Sequence, residues 1–317
     1  MRVVGSVLSR VGRRRLEQHL REAAPDLVVS TYPLVSAALA SMRRRRRLAI
    51  PAVTMITDFD AHPAWVHPDL DANCSIAGTC AGVVGVRPPV GDCANASAAG
   101  VRERIGVRHG ERLVLVVGGA WGVGAMHEAA LAVEDVPGAR AVVVTGHNDE
   151  LNDRMDADPR LARAVMLGFR DDLLDLIAAS DVVIQHAGGV TCLEAFALGV
   201  PVVMFSPVLG HGAANAACME RAGVATTIQR RADLAALLRD EAFWSDVAPA
   251  LVARSSRLLD QPTFAERIAA LPLDGAAARP RRRPMRIVAA VAAALVALVA
   301  LEDVADAAVR VARHLIP

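Results

Sequence analysis

The sequence predicts an α/β protein with two Rossmann-like domains, each built on a parallel sheet. Three observations carry this. Predominantly apolar runs at 113–117, 141–145, 164–167, 182–185 and 201–205 alternate with helical patterns near 125–133, 171–178 and 191–198. Strands apolar on both faces, alternating with helices, mean a parallel sheet covered by helices on each side. A smaller set of similar elements precedes them, and 317 residues, 53% of them hydrophobic, suffice for two cores.

The elements divide the chain into three regions. Residues 1–90 read as part of an α/β domain. A helix is expected over 14–24, a buried strand over 27–30 and a turn at Tyr32-Pro33. A helix over 34–42 follows, then strands over 52–57 and 83–86. The segment Pro88-Pro89-Val90-Gly91 is a linker by its proline and glycine. Residues 91–274 form the second domain. Residues 275–317 form a tail in which the cluster Arg279 to Arg286 precedes an unbroken apolar run, 287–301, and then an amphipathic end, 305–316.

A net charge of +1 gives no global attraction to nucleic acid, and none is expected as a partner. The positive charge is clustered instead, at Arg13 to Arg15, Arg43 to Arg47 and Arg279 to Arg286. Such runs are solvated surface, or they meet anionic lipid head groups at about 1 kcal/mol per basic residue. The apolar run in the tail is shorter than the ~20 residues that cross a bilayer. Extending it would bury Glu302, Asp303 and Asp306. A shallow anchor beside the basic cluster is therefore expected, at the cytoplasmic face of a membrane, peripheral or with a marginal membrane segment. The apolar residues before the first arginines form no signal-peptide core. Five cysteines with no C-x-x-C point to reduced thiols, and the spacing of His62, His67, Cys74 and Cys80 fits no common zinc site.

In a parallel sheet, ligands bind beyond the carboxyl ends of the strands. Three loops there carry the chemistry. Gly118-Gly119-Ala120-Trp121-Gly122-Val123-Gly124 links a strand to a helix, so backbone amides and a helix N-terminus can approach a phosphate. It also reads as an ordinary tight turn. Gln185-His186-Ala187-Gly188-Gly189-Val190-Thr191 repeats the arrangement. Glu194, three residues past Thr191, either completes a capping box with it or offers a carboxylate to ribose hydroxyls. The third loop, Ser206 to Asn215, is kept extended by proline and glycine, with Asn215 at or inside the next helix.

The series G-G-x-x-G, G-F, S-D-V-V-I, H-A-G-G-x-T-x-x-E-A-x-A-x-G-x-P-x-V and P-x-x-G-x-x-x-x-N resembles family 28 glycosyltransferases. That family includes monogalactosyldiacylglycerol synthases, processive diacylglycerol glucosyltransferases and the lipid II N-acetylglucosaminyltransferase. The resemblance runs from about Pro25 to about Arg239. The segments Pro25 to Pro33, Thr57-Asp58-Phe59 and His62-Pro63-x-Trp65-x-His67 favour the diacylglycerol branch.

The resemblance implies a GT-B fold and residue roles. Gly118, Gly119 and Gly122 would line the donor diphosphate, and Phe169 would lie near the uracil. Gly188, Gly189 and Thr191 would hold the diphosphate or the sugar, and Glu194 the ribose. Asn215 would sit near the donor sugar, as would His211, although the family usually carries Gln or an acid near that position. Asp58 and His62 would be the candidate catalytic bases, and Trp65 would face the acceptor. The family opens with a strand and a glycine-rich, histidine-containing loop that is absent before Leu27, so the N-terminal domain is expected to be incomplete.

The reaction implied is inverting transfer of a hexose from a UDP-sugar to a lipid such as diacylglycerol. It is expected to need neither metal nor cofactor, because loop amides can stabilise the leaving diphosphate. Two other classes compete. One is a weak or inactive nucleotide-sugar-binding module with a regulatory or scaffold role. The other is a Rossmann oxidoreductase, disfavoured because the first loop lacks G-x-G-x-x-G spacing.

Overall fold

The computed structural model describes residues 14–61, 65–76, 83–88, 90, 93, 96–186, 188–270 and 287–289. Its contacts divide the chain into two units. The first comprises the chain up to Ile56, Ala61–Val86 and the chain from Phe264 onward; the second comprises Thr57–Asp60 and Arg87–Thr263.

The first unit begins with helix α1, residues 14–23, which buries Leu16 and Leu20 one turn apart. Strand β1 (Leu27–Ser30) follows, buried throughout. Helix α2 (Pro33–Arg44) starts on a proline, where the missing N–H costs nothing, and ends on Arg43 and Arg44, whose charge suits the helix C-terminus. Strands β2 (Ala52–Ile56), β3 (Ala72–Ser75) and β4 (Val84–Gly85) complete this part. β3, Ala-Asn-Cys-Ser, has no apolar run and was not expected. It is buried because the Asn73 amide is satisfied locally: it accepts from His67 N at 3.0 Å and donates to His67 O at 3.1 Å.

The arginine run after α2 is partly neutralised within this unit. Arg43 pairs with Asp71, Arg44 with Asp69, and Arg47 with Glu17 at 3.4 Å. The tail also departs from expectation where it is described. Ile287–Ala289 form a strand, β11, that pairs in parallel with β1, Leu27 opposite Ile287. The first residues of the expected anchor thus satisfy backbone groups along a sheet edge, which suits three apolar residues in extended conformation. The sheet order is β11-β1-β2-β3-β4, all parallel. The remainder of the tail and His62 lie outside the described residues, as does Cys80. Among the described residues no helix is long and apolar enough to cross a membrane.

In the second unit a short helix, α3 (Val101–Arg104), leads into β5 (Arg112–Val117), α4 (Met126–Glu134), β6 (Ala139–Val144), α5 (Asp149–Asp156) and β7 (Val165–Leu167). There follow α6 (Leu173–Ala179), β8 (Val182–Gln185), α7 (Val190–Ala197), β9 (Val202–Phe205), α8 (His211–Arg221), β10 (Ala225–Ile228), α9 (Arg231–Arg239) and α10 (Ala248–Ser255). The five expected strands all form. The chain adds β10, which is only half-buried beyond Ala225 and so shows no continuous apolar run. Helix α4 presents Ala129, Ala130 and Ala132 to the core, small enough for the helix to lie close on the sheet.

The strand order is β10-β9-β8-β5-β6-β7, all parallel. From β5 the chain winds to one side through β6 and β7, then returns to lay β8, β9 and β10 on the other. The direction reverses between β5 and β8. That switch point opens a crevice at the carboxyl ends of the strands, where an open α/β sheet binds its ligand.

Candidate donor site

The crevice is bordered by the first two expected loops, after β5 and β8. In the first, Val123 N donates to Gly118 O at 2.9 Å, folding the loop back on itself. His147 N, from the loop after β6, donates to Ala120 O at 2.8 Å and ties the two loops together. The predicted glycines separate into two kinds. A Cβ on Gly118 would lie 2.2 Å from Met126 Sδ, and one on Gly122 would lie 2.5 Å from Thr145 O. Those two are explained by packing within the protein. A Cβ on Gly119 or Gly189 would meet nothing within 4 Å, so their backbones border open space.

The second loop corrects one expectation. Thr191 and Glu194 form no capping box: α7 starts at Val190 with Gly189 as its N-cap, and no side chain caps it. Gly189 has φ 105°, a conformation that glycine alone adopts readily, and it moves the helix start ahead of Thr191. Thr191 therefore lies inside the first turn. Helices α7 and α8 both lack a side-chain cap and an acidic residue in the first turn. Their N-termini present unshielded partial positive charge, suited to an anion. Glu194 is half-buried, and burial raises its pKa above the ordinary 4.5. A carboxylate partly withdrawn from water is poised to accept hydrogen bonds from hydroxyl groups.

Phe169 is 52% exposed, so it is not core. Its ring stacks on His147, centroids 4.2 Å apart and planes 9° apart, with Trp121 beyond His147 at 6.5 Å. Three successive strand-end loops thus supply one exposed aromatic face. The adjoining Arg170 holds its loop through a bidentate pair with Asp172, both contacts 2.7 Å, which keeps that carboxyl below its usual range.

The third loop places His211 at the first residue of α8, with Asn215 one turn later and fully buried. The segment Thr57–Asp60 belongs to this same unit. Phe59 packs edge-on against Phe196 at 6.4 Å and anchors it. Asp60 N donates to Asn215 Oδ1 at 2.8 Å, and Asp58 Oδ1 lies 3.1 Å from His211 Nε2. Asp58, His211 and Asn215 are therefore assembled together. Trp65 is not available as a cleft wall: it is 4% exposed, packed with Ile56 and Ala61 in the first unit. An indole of that size is the obvious filler for a small satellite core in a chain with few aromatics.

Two residues had been given no role. His147 follows Gly146 in the loop after β6. His186 is the first residue after β8; it is fully buried, and its Nδ1 donates to Phe205 O at 2.7 Å. Its Nε2 has no hydrogen-bond partner among the described residues, and burial lowers its pKa. The signal for both was position, since each is the polar residue where a buried strand meets its loop. Cys192 and Cys74 carry no reactive signature: burial pushes Cys192 up to about 12 and Cys74 up to about 11, so both stay protonated.

Asp-x-Asp triplets, a spacing that can hold a divalent metal, do occur in the chain. Asp58-Phe59-Asp60 has its carboxylates turned to different partners, His211 and Cys218. In Asp69-Leu70-Asp71 both acids are paired with arginines of the run after α2. In Asp156-Ala157-Asp158 the second acid binds Arg160. Among the described residues no group of three or more His, Cys, Asp or Glu side chains is arranged to hold a metal.

The chain was compared with known proteins on this basis. The family described as "Glycosyltransferase family 28 C-terminal domain" matches residues 113–239, and that described as "Monogalactosyldiacylglycerol (MGDG) synthase" matches residues 4–79. A processive diacylglycerol beta-glucosyltransferase of Bacillus mycoides is 27% identical over 259 residues, 77% of this chain and 66% of that protein. A relative of the same name from Bacillus cereus has the same identity and coverage over 261 residues. The chain thus spans about 66% of the length of these curated relatives. Among solved structures, MurG of Acinetobacter baumannii superposes with a TM-score of 0.57 at 17% identity, covering 80% of this chain and 75% of that one. HepE of Anabaena, solved with UDP-glucose, gives 0.55 at 18% identity, covering 82% of each chain. These likenesses establish the fold. Residues 113–239 thus carry a glycosyltransferase family 28 C-terminal domain on a sheet of Rossmann order, residues 4–79 match the monogalactosyldiacylglycerol synthase family, and the fold is that of GT-B glycosyltransferases.

Proposed function

We propose that the protein transfers a hexose from a UDP-sugar to a lipid acceptor such as diacylglycerol, with inversion and without a metal. The observation that carries the reading is the crevice between β5 and β8. It combines open glycine backbone at Gly119 and Gly189, uncapped N-termini on α7 and α8, a desolvated Glu194 carboxylate and the exposed face of Phe169. Those groups match, in order, a diphosphate, a ribose and a planar base. The names of the Bacillus relatives support the lipid acceptor, and HepE bound to UDP-glucose supports the donor.

The chemistry follows from the groups present. Departure of UDP places charge on its β-phosphate. Preorganised amides and helix N-termini stabilise that charge without reorganising. The cluster of Asp58, His211 and Asn215, held on the donor unit, would supply proton acceptance from the attacking hydroxyl. A lipid acceptor puts the working protein at a membrane surface, and the basic cluster Arg279 to Arg286 is the segment proposed to meet it.

The test is transfer of labelled glucose from UDP-glucose to dioleoylglycerol by the full chain, with and without chelator, in neutral and in anionic vesicles. Glycolipid should form in all arms, faster on anionic vesicles. Activity lost in chelator and restored by magnesium would end the metal-free reading. UDP binding with no transfer to any lipid would end the transferase reading.

A further inference from the structure

The cluster around His211 sets a hydrogen-bond donor and a hydrogen-bond acceptor against one ring nitrogen. Asn215 has its orientation fixed, because its Oδ1 accepts from Asp60 N at 2.8 Å. Its Nδ2, necessarily a donor, therefore points at His211 Nε2, 3.1 Å away. A donor there requires a lone pair on Nε2. Asp58 Oδ1 is also 3.1 Å from the same nitrogen, and a carboxylate there requires a proton on it. One nitrogen thus faces an acceptor and a donor at equal distance. Neither partner is a loose surface group: Asn215 is fully buried and the Asp58 side chain is 15% exposed, while His211 itself is 58% exposed.

We infer that His211 is the general base of the transfer, with Asp58 and Asn215 as positioning residues that hold its ring in a protonatable state. The inference rests on the transferase reading above. With the Nε2 proton held by Asp58, the lone pair lies on Nδ1. Nδ1 takes the proton of the acceptor hydroxyl as the oxygen bonds to the anomeric carbon. The bond from that carbon to the diphosphate oxygen breaks with its electron pair, and UDP leaves. The imidazolium so formed is paired with Asp58 until it loses its proton to water. When Nε2 is the deprotonated site instead, Asn215 satisfies its lone pair, so neither tautomer leaves that nitrogen unpaired. One step back from the ring, Asp60 lies beside Cys218 at 3.5 Å and Arg221 lies on Cys218 at 2.8 Å.

This reading separates His211 from a plain donor-sugar contact, and kinetics can tell them apart. The experiment uses the full chain with UDP-glucose and dioleoylglycerol in mixed micelles, and compares wild type, Asp58→Asn, His211→Gln and the double variant across pH. His211→Gln should lower kcat by roughly 10²–10⁴-fold, the usual worth of a general base. It should also abolish the acid limb of the wild-type pH–rate profile, with calorimetric UDP affinity within about threefold of wild type. The double variant should be no slower than His211→Gln alone, because residues acting as a unit are not additive. The inference is overturned if His211→Gln raises KM for UDP-glucose at unchanged kcat, or if the acid limb survives it and disappears only in His62→Gln. Wild type that binds UDP but transfers nothing sinks the transferase reading itself. An active wild type with an equally active His211→Gln sinks only the role given to His211.

Discussion

The imidazole of His147 lies flat on the ring of Phe169, 4.2 Å between centroids and 9° between planes, although the two residues stand on loops after different strands. Stacking uses one face of Phe169 to support it, and the ring remains half exposed on its loop. A planar base laid on this platform gains contact with a ring that is already ordered, so little side-chain freedom is lost on binding.

Phe169→Ala should therefore weaken UDP binding by about 0.5–1.5 kcal/mol, the range for one aromatic contact. The melting temperature should barely change, since the ring is not core. Calorimetry with UDP and thermal unfolding of the apo chain check both halves. Unchanged affinity would mean that the base lies elsewhere.

Glu194 gives a prediction in pH. Burial raises its pKa, so its proton stabilises the fold below the unfolded value, and that contribution is lost as pH rises through the folded value. Ribose hydroxyls donate to the ionised form, so bound UDP favours loss of the proton. Affinity for UDP should thus rise with pH through the elevated Glu194 titration, then level off. Glu194→Gln should remove that dependence and cost about 1.5–3 kcal/mol, as for a hydrogen bond to a charged group. Calorimetry with UDP and 2′,3′-dideoxy-UDP is decisive. If the variant discriminates between them as well as wild type does, Glu194 does not read the ribose.

The two kinds of glycine in the first loop should separate on substitution. Gly122→Ala puts a Cβ 2.5 Å from Thr145 O at φ 58°, where no side chain can yield, and should destabilise the fold by about 1–3 kcal/mol. Gly119→Ala meets open space and pays only the left-handed backbone cost of about 1 kcal/mol, but its methyl group intrudes where a phosphate would sit. Thermal unfolding should rank Gly122→Ala as the less stable, and UDP titration should rank Gly119→Ala as the weaker binder relative to its stability. The opposite ranking would place the diphosphate away from Gly119.

The sequence by itself determined the second sheet. Strands buried on both faces, such as Arg112–Val117 with its run Leu-Val-Leu-Val-Val, are apolar on successive residues, and that pattern is visible without neighbours. It also marked the loops after β5, β8 and β9, because βα turns beside a crevice need glycine. Strand β3 stayed hidden, since Asn73 is buried through bonds to His67 that no local pattern announces. The capping box at Thr191 was locally plausible and lost to the backbone path at Gly189. Trp65 looked like a ligand surface and is core. What only the tertiary structure decided were the meetings of residues distant in sequence: Phe169 with His147, Ile287 with Leu27, and above all Asp58 with His211 and Asn215. Periodicity encodes which face of an element is buried. Which polar groups converge depends on how strands are ordered in the sheet and where a loop returns, and that is settled by packing over the whole chain.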